Sequence, residues 1–306
     1  MTPPRSESVD WRARPLRTLL FVPGNDERKL AKAGTTGADL VVIDLEDAVA
    51  EAAKTEARAT AAQAVARVSR TAAVAVRVNG LETGRLHDDI TAVAQAGLSA
   101  IVVPKVEAPD SLAAAQESLA MFERDAPAPP GTVVLIALLE TPLGIARCEE
   151  ILLNAPERTV AAMFGVADFS AALGVEPTAE GTELLYARGR LIVAARAARM
   201  AATIDGPYLR IDDSEGLLDD SRRSRALGFQ GRVALHPRQV APINQAFSEL
   251  SSEQLALARQ IVQAFEEAEA AGTASIRVEG RFVDYPVYEQ ARAKLRRHEA
   301  YLRTVN

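Results

Sequence analysis

The stretch Val133-Val134-Leu135-Ile136-Ala137-Leu138-Leu139-Glu140 sets an unbroken apolar run against a carboxylate. Such a run, without polar alternation, reads as a strand buried on both faces. Strands of this kind belong to parallel sheets whose faces are covered by helices. Outward from it, similar runs recur at Leu19–Val22, Leu40–Leu45, Val74–Val78, Ala100–Val103, Val160–Gly165, Ala202–Ile204 and Arg232–Leu235. Helical, often Ala-rich, sequence follows each, which is the pattern of repeated βα units. Eight units in a chain of 306 residues predict an α/β fold, a (β/α)8 TIM barrel. A doubly wound open sheet is the alternative, because closure leaves no mark on the sequence.

The eighth unit does not end the chain. Ser251–Ala270 reads as a helix, Ala274–Val283 as a hairpin around Glu279-Gly280, and a last helix starts near Pro286. A barrel has no core position left for this tail, so it is expected to pack outside as a lid or on a neighbour. The expected organisation is a leader over residues 1–14, a barrel over 15–248 and a C-terminal lid over 249–306. The leader has no apolar segment of the signal-peptide kind. The Pro-rich stretch 126–131 reads as a short loop before the fifth strand.

Composition narrows the function classes. Hydrophobic residues make up 48% and charged residues 25%, as in an ordinary soluble enzyme, and the longest apolar runs are too short to span a bilayer. A net charge of −6 argues against a broad basic face for nucleic acid. Arg190, Arg196 and Arg199 fit a packed helix with snorkelling side chains. Cys148 is the only cysteine and can form no internal disulfide, so a reducing, cytoplasmic location is the default. In a helix it reads as a buried thiol, not a nucleophile.

In TIM barrels the chemistry lies at the C-terminal ends of the strands. Those ends carry Pro23-Gly24-Asn25, then Asp44, Glu46 and Asp47, then Arg77 and Asn79, then Lys105 and Glu107, then Glu140, Asp168, Asp205 and His236. Charge at nearly every end predicts convergence on one polar site. Glu140 and Asp168, from adjacent strand ends, suit magnesium, which takes one or two carboxylates and keeps several waters. Either could instead pair with Lys105 or Arg77. Arg77 could fork onto a substrate carboxylate, or bridge Asp44 or Glu46 and hold the barrel mouth together.

The histidines exclude one class. His87, His236 and His298 form no HxH or HxxxH pair, which disfavours a zinc hydrolase. His236, before Pro237, reads as a loop anchor. Phe21-Val22-Pro23-Gly24-Asn25 turns into a helix with Arg28, Lys29 and Lys32 and can hold an anion at its N-terminus. It is no Walker A loop, and with no GxGxxG in the chain, nucleotide hydrolysis and hydride transfer have no support.

Taken together, these pieces resemble the HpcH/HpaI aldolase–citrate lyase family, in its citrate lyase β subunit-like and malyl- or citramalyl-CoA lyase branch. The matching blocks are Leu19–Asn25, Val41–Val49, Val76–Asn79, Val103–Glu107, Leu138–Ile145, Phe164–Gly174, Ile204–Tyr208, Leu227–Val240 and Glu279–Val287. The resemblance implies a magnesium-dependent carbon–carbon lyase, with manganese as a substitute, that cleaves a 3-hydroxyacyl-CoA thioester to acetyl-CoA and a 2-keto acid. It implies that Glu140 and Asp168 hold the metal, that Glu140 also lies against the substrate, and that Arg77 binds the substrate carboxylate. Asp44, Glu46 and Asp47 would orient metal-bound water and Arg77. Phe21, Gly24, Lys32, Ala167 and Pro237 match positions lining the CoA channel. Some relatives have an arginine directly after the position of Asn25, where this chain has Asp26.

Asp284 matches an acid that reaches a neighbouring subunit's site, which implies a homo-oligomer, a trimer or hexamer, with Asp284 protonating the departing acetyl carbon. A malyl-CoA thioesterase fits the same residues, as does a citrate lyase β subunit acting on an acyl-carrier-bound citryl group. The pyruvate aldolase branch fits less well, because it uses a histidine base near the first strands and lacks the lid.

Overall fold

Eight parallel strands close into a barrel: β1 (Thr18–Pro23), β2 (Leu40–Asp44), β3 (Val74–Arg77), β4 (Leu98–Val103), β5 (Val134–Leu139), β6 (Thr159–Phe164), β7 (Ala202–Asp205) and β8 (Gly231–Ala234). Thr18 of β1 pairs with Arg232 of β8, which closes the ring and removes the open-sheet alternative. All eight strands fall on the runs read from the sequence. The computed structural model describes residues 16–125 and 132–305. The leader expected over residues 1–14 and the Pro-rich stretch 126–131 lie outside them.

Alternation along each strand splits the apolar side chains into two layers. Leu19, Leu40, Val42, Ala75, Val102, Ile136, Leu138, Met163, Ile204 and Val233 form one cluster, which fills the barrel. Leu20, Val41, Ile43, Val76, Val103, Leu135, Leu139 and Phe164 join a second cluster with helix residues such as Leu30, Ala61, Ile90, Leu112 and Leu191. This parity decides where each strand-end residue goes. Phe21, Asp44, Arg77 and Glu140 continue the inward series, two residues beyond Leu19, Val42, Ala75 and Leu138.

Asp205 and Arg232 have the opposite parity, one residue from the inward Ile204 and Val233. They face the helices, fully buried, and bind Arg188 of helix Leu185–Ala197 and Asp220 of helix Ser214–Leu227. Arg188 Nη2 lies 3.1 Å from Asp205 Oδ2, and Arg232 donates to Asp220 and, through Nε, to Gly206 O at 2.9 Å. Asp220 is buried, which alone would raise its pKa, but Arg232 and Arg188 lower it further. The expectation that Asp205 converges on the polar site is therefore corrected: the pleat turns it outward into a structural ion network.

The chain divides into two compact units, Met1–Phe247 and Ser248–Asn306. The second has its own core of Ala258, Ile261, Phe265, Val278, Val283, Tyr288 and Ala291. Helix Ser252–Ala270, capped by Ser251, packs with the antiparallel pair β9 (Ile276–Val278) and β10 (Arg281–Val283) and with helix Tyr285–Val305. The hairpin turns on Glu279 and Gly280, at φ 47° and 80°. Positive φ at both central positions matches the right-handed twist of the strands and explains a glycine there. Among the described residues no helix is long and apolar enough to cross a membrane.

Candidate active site

A cleft of about 380 Å³ opens at the C-terminal ends of the strands. Phe21, Asp44, Asp47, Arg77, Glu140, Ala167 and Asp168 line it, together with apolar Leu138, Met163, Pro207, Leu209, Val233 and Leu235. Six of these seven continue a strand inward or lie one turn beyond it; Asp47 comes from the loop after β2. The apolar walls carry no charge signal in the sequence, although the inward parity of Leu138, Met163 and Val233 marks them.

Arg77 is the hub. Asp44 and Arg77 are partners in register across β2 and β3, and the guanidinium forks onto that carboxylate, Nε to Oδ1 at 2.8 Å and Nη2 to Oδ2 at 2.6 Å. Nη1 donates to Asp47 Oδ2 at 3.1 Å. The same nitrogen lies 2.9 Å from Glu46 Oε2, an ion pair without hydrogen-bond alignment, so that buried oxygen keeps no hydrogen-bond partner. Burial alone would lower the Arg77 pKa, but Asp44, Glu46 and Glu140 more than offset it and hold the cation. The guanidinium also lies over the Phe21 ring, 5.3 Å from its centroid. The bridging arrangement weighed from sequence is thus present, with Arg77 still facing the cleft.

Lys105, read from sequence as a strand-end charge that could pair with Glu140 or Asp168, links the two halves of the site. Its backbone N–H donates to Glu140 Oε1 at 3.0 Å, and its Nζ lies 2.9 Å from Glu46 Oε1 and 3.6 Å from Asp47 Oδ1. It pairs with neither Glu140 nor Asp168 through its ammonium. Burial would lower its pKa, but Glu46, Asp47 and Asp168 raise it above the ordinary lysine value.

Glu140 is buried at the end of β5, and burial, then the charge of Glu46, push its carboxyl up to about 8 against the pull of Arg77. A Cβ at Gly165 would overlap the Glu140 side chain, 2.7 Å from Oε2. The absence of a side chain at 165 is therefore what leaves room for this carboxylate. Asp168 follows in the first turn of helix Val166–Leu173, half-buried and close enough to add to the Glu140 shift.

The donor set fits a hard divalent cation. No group of three or more His, Cys, Asp or Glu side chains assembled for a metal occurs among the described residues. Magnesium does not need one, because two carboxylates and several waters satisfy it. The buried Glu46 Oε2, ion-paired with Arg77 but without a hydrogen bond, has acceptor capacity left that a metal-bound water could use.

Other expected site residues lie elsewhere. Gly24 is buried behind the cleft wall, its N–H on Asp44 O at 2.8 Å. Lys32 is exposed on helix Glu27–Ala33, and Pro237 is exposed in the turn after β8. None of the three lines the cleft. His236 anchors that turn, its Nδ1 accepting from the Arg238 N–H at 3.2 Å, as its sequence context suggested.

The anion site read at Gly24-Asn25 is corrected: Asp26 caps the helix there, accepting from the Lys29 N–H at 3.0 Å. A carboxylate holds the position an anion would take. Burial and the adjacent Glu149 push the Cys148 thiol up to about 11, which leaves it unreactive. Asp284, in the second unit, accepts from the Val287 N–H at 3.3 Å at the start of the last helix.

Comparison with known proteins places this geometry. A family model described as HpcH/HpaI aldolase/citrate lyase matches residues 17–237. The citrate lyase subunit beta of Leuconostoc mesenteroides subsp. cremoris is 34% identical over 276 residues, 90% of each chain. The mitochondrial citramalyl-CoA lyase of Homo sapiens is 33% identical, covering 94% of this chain and 86% of its own. The crystal structure of the protein CitE from Mycobacterium tuberculosis, in complex with magnesium, acetoacetate and coenzyme A, superposes with a TM-score of 0.74. It is 30% identical and covers 94% of this chain and 99% of its own.

Proposed function

The chain belongs to the HpcH/HpaI aldolase/citrate lyase family, and from that premise we propose that it cleaves a small 3-hydroxyacyl-CoA thioester. Citramalyl-, malyl- and citryl-CoA are the candidate substrates, and acetyl-CoA and a 2-keto acid the products. The family assignment makes it a citrate lyase β-like oxo-acid lyase. The observation that carries the finer reading is the convergence of Arg77, Glu140 and Asp168 on one cleft with apolar walls.

Glu140 and Asp168 would hold magnesium, or manganese in its place, with Glu46 Oε2 accepting from a water in its shell. The cation would supply Lewis acidity to the carboxylate and hydroxyl side of the substrate. Arg77 keeps its fork on Asp44 and offers Nη1 to the substrate carboxylate, displacing Asp47. That exchange costs little, because the Asp47 side chain is 47% exposed and can return to water. As the carbon–carbon bond breaks, the 3-hydroxyl loses its proton and becomes the carbonyl of the 2-keto acid. The bonding pair passes to the acetyl carbon, and a proton delivered there completes acetyl-CoA, so one proton leaves and one arrives. We assign that proton to Asp284 of a neighbouring copy in a homo-oligomer, a trimer or hexamer, with residues 249–306 as the lid.

The test offers the three thioesters with magnesium and traps released keto acid as its phenylhydrazone. Release from one of them, lost in EDTA and restored by magnesium, is the expected result. Free CoA appearing with the keto acid would instead favour a thioesterase. The resemblance to the Leuconostoc subunit favours a second reading, transfer from an acyl-carrier protein. Turnover of a citryl-carrier conjugate but of no CoA thioester would establish it.

A further inference from the structure

The loop after β4 turns at Lys105 with φ 49°, in the left-handed region that glycine favours. Only Arg199 and Glu279 share that feature among the described non-glycine residues. Such a conformation persists where the surroundings over-determine it, and here both ends of the residue are engaged. The turn aims the N–H at Glu140 Oε1, 3.0 Å away. It sends the ammonium the other way, to Glu46 Oε1 at 2.9 Å and Asp47 Oδ1 at 3.6 Å. Glu46 thus lies between two cations, Lys105 on one oxygen and Arg77 on the other.

Glu46 and Glu140 are near enough that the charge of Glu46 is a leading cause of the Glu140 shift. Two neighbouring carboxylates, if both free, would both turn to a divalent cation. Lys105 does not line the cleft, so its influence runs through the carboxylates it holds. We propose that Lys105 is a positioning residue that decides which carboxylates reach the cation, its N–H aiming Glu140 and its ammonium withholding Glu46. This rests on the reading of Glu140 and Asp168 as the cation pair.

Lys105→Gly separates the two contacts: glycine keeps the left-handed turn and the N–H and removes only the ammonium. Lys105→Arg keeps a cation. Mn2+ binding to the substrate-free protein is read by the electron paramagnetic resonance of free Mn2+. Lys105→Gly is expected to bind Mn2+ about tenfold tighter, because a repelling charge is gone and Glu46 Oε1 is freed while Arg77 keeps only Oε2. Lys105→Arg should stay within about threefold of wild type. Adding Glu46→Gln to Lys105→Gly should reverse the tightening.

At saturating magnesium, kcat of Lys105→Gly should fall about tenfold or more while its KM for the cation falls too, since an extra ligand closes a position the substrate needs. A residue that merely braces the loop would weaken cation binding and turnover together, so weaker or unchanged Mn2+ binding in Lys105→Gly overturns the proposal. Lys105→Met, which also lacks the ammonium, serves as the second variant should the glycine variant misfold. If wild type binds no Mn2+, the cation reading fails and takes this proposal with it. If Mn2+ behaves as expected but no thioester is cleaved, only the substrate reading fails.

Discussion

The carboxyl of Glu140 offers a measurable link between pH and cation binding. Without a cation, burial and then the charge of Glu46 push it up to about 8. A divalent cation needs the carboxylate, so below that pH a proton must leave as the cation enters. The apparent Kd for Mn2+ should rise with a slope approaching tenfold per pH unit well below 8, hence about fiftyfold between pH 8, where half the sites are already protonated, and pH 6.

Stability moves with it. A folded pKa above the unfolded value means that the cation-free protein gains stability from protonation at low pH and loses it as pH rises through about 8. A rise from 4.5 to about 8, at about 1.4 kcal/mol per unit, sets a ceiling of about 5 kcal/mol on that loss, which solvent relaxation lowers. Calorimetric or spectroscopic Mn2+ titrations at pH 6, 7 and 8, with thermal unfolding in EDTA and in magnesium, read both effects. Magnesium should raise Tm more at pH 8 than at pH 6. Glu140→Gln, which cannot ionise, should bind Mn2+ weakly and without the pH slope. A flat affinity between pH 6 and 8, or a slope that survives in Glu140→Gln, would refute the reasoning.

Other expectations follow from single contacts. Arg77→Lys cannot reproduce the fork on Asp44 and should cost about 2–4 kcal/mol in kcat/KM; wild-type kcat/KM with a lowered Tm would make Arg77 purely structural. Gly165→Ala drives a methyl into Glu140 and should abolish tight Mn2+ binding at a stability cost of about 1–3 kcal/mol; unaltered Mn2+ affinity would contradict it. Arg232→Met leaves Asp205 and Asp220 short of a partner and should cost about 3–5 kcal/mol in chemical denaturation, with Mn2+ affinity preserved. Glu140→Ala and Asp284→Ala, each inactive alone, should regain about a quarter of wild-type activity when unfolded, mixed and refolded as hybrids; inactive hybrids, verified by native mass spectrometry, would confine Asp284 to another role.

Much of the site was legible because strand-end position and residue type coincide at Asp44, Arg77, Glu140 and Asp168. Lys105 was harder, since nothing local shows that a lysine after Val103-Pro104 adopts φ 49° and serves Glu140 with its backbone. Asp26 shows the opposite case. Its residue type, Asp before a helix, is a capping signal, yet the basic residues that follow it suggested an anion site. The assignment of Gly24, Lys32 and Pro237 to a CoA channel came from resemblance alone, and they lie outside the cleft lining.

Local patterns determined the eight strands, their helices and the hairpin at Glu279-Gly280, because burial period and turn chemistry are written residue by residue. Closure of β1 on β8 and the inward or outward face of each strand end were decided by tertiary structure. Asp205 and Glu140 look alike as acids ending apolar strands. Alternation across a closed sheet sends Glu140 to the cleft and Asp205 to a buried ion network. That parity is fixed only when neighbouring strands set the register, since a one-residue shift exchanges the faces.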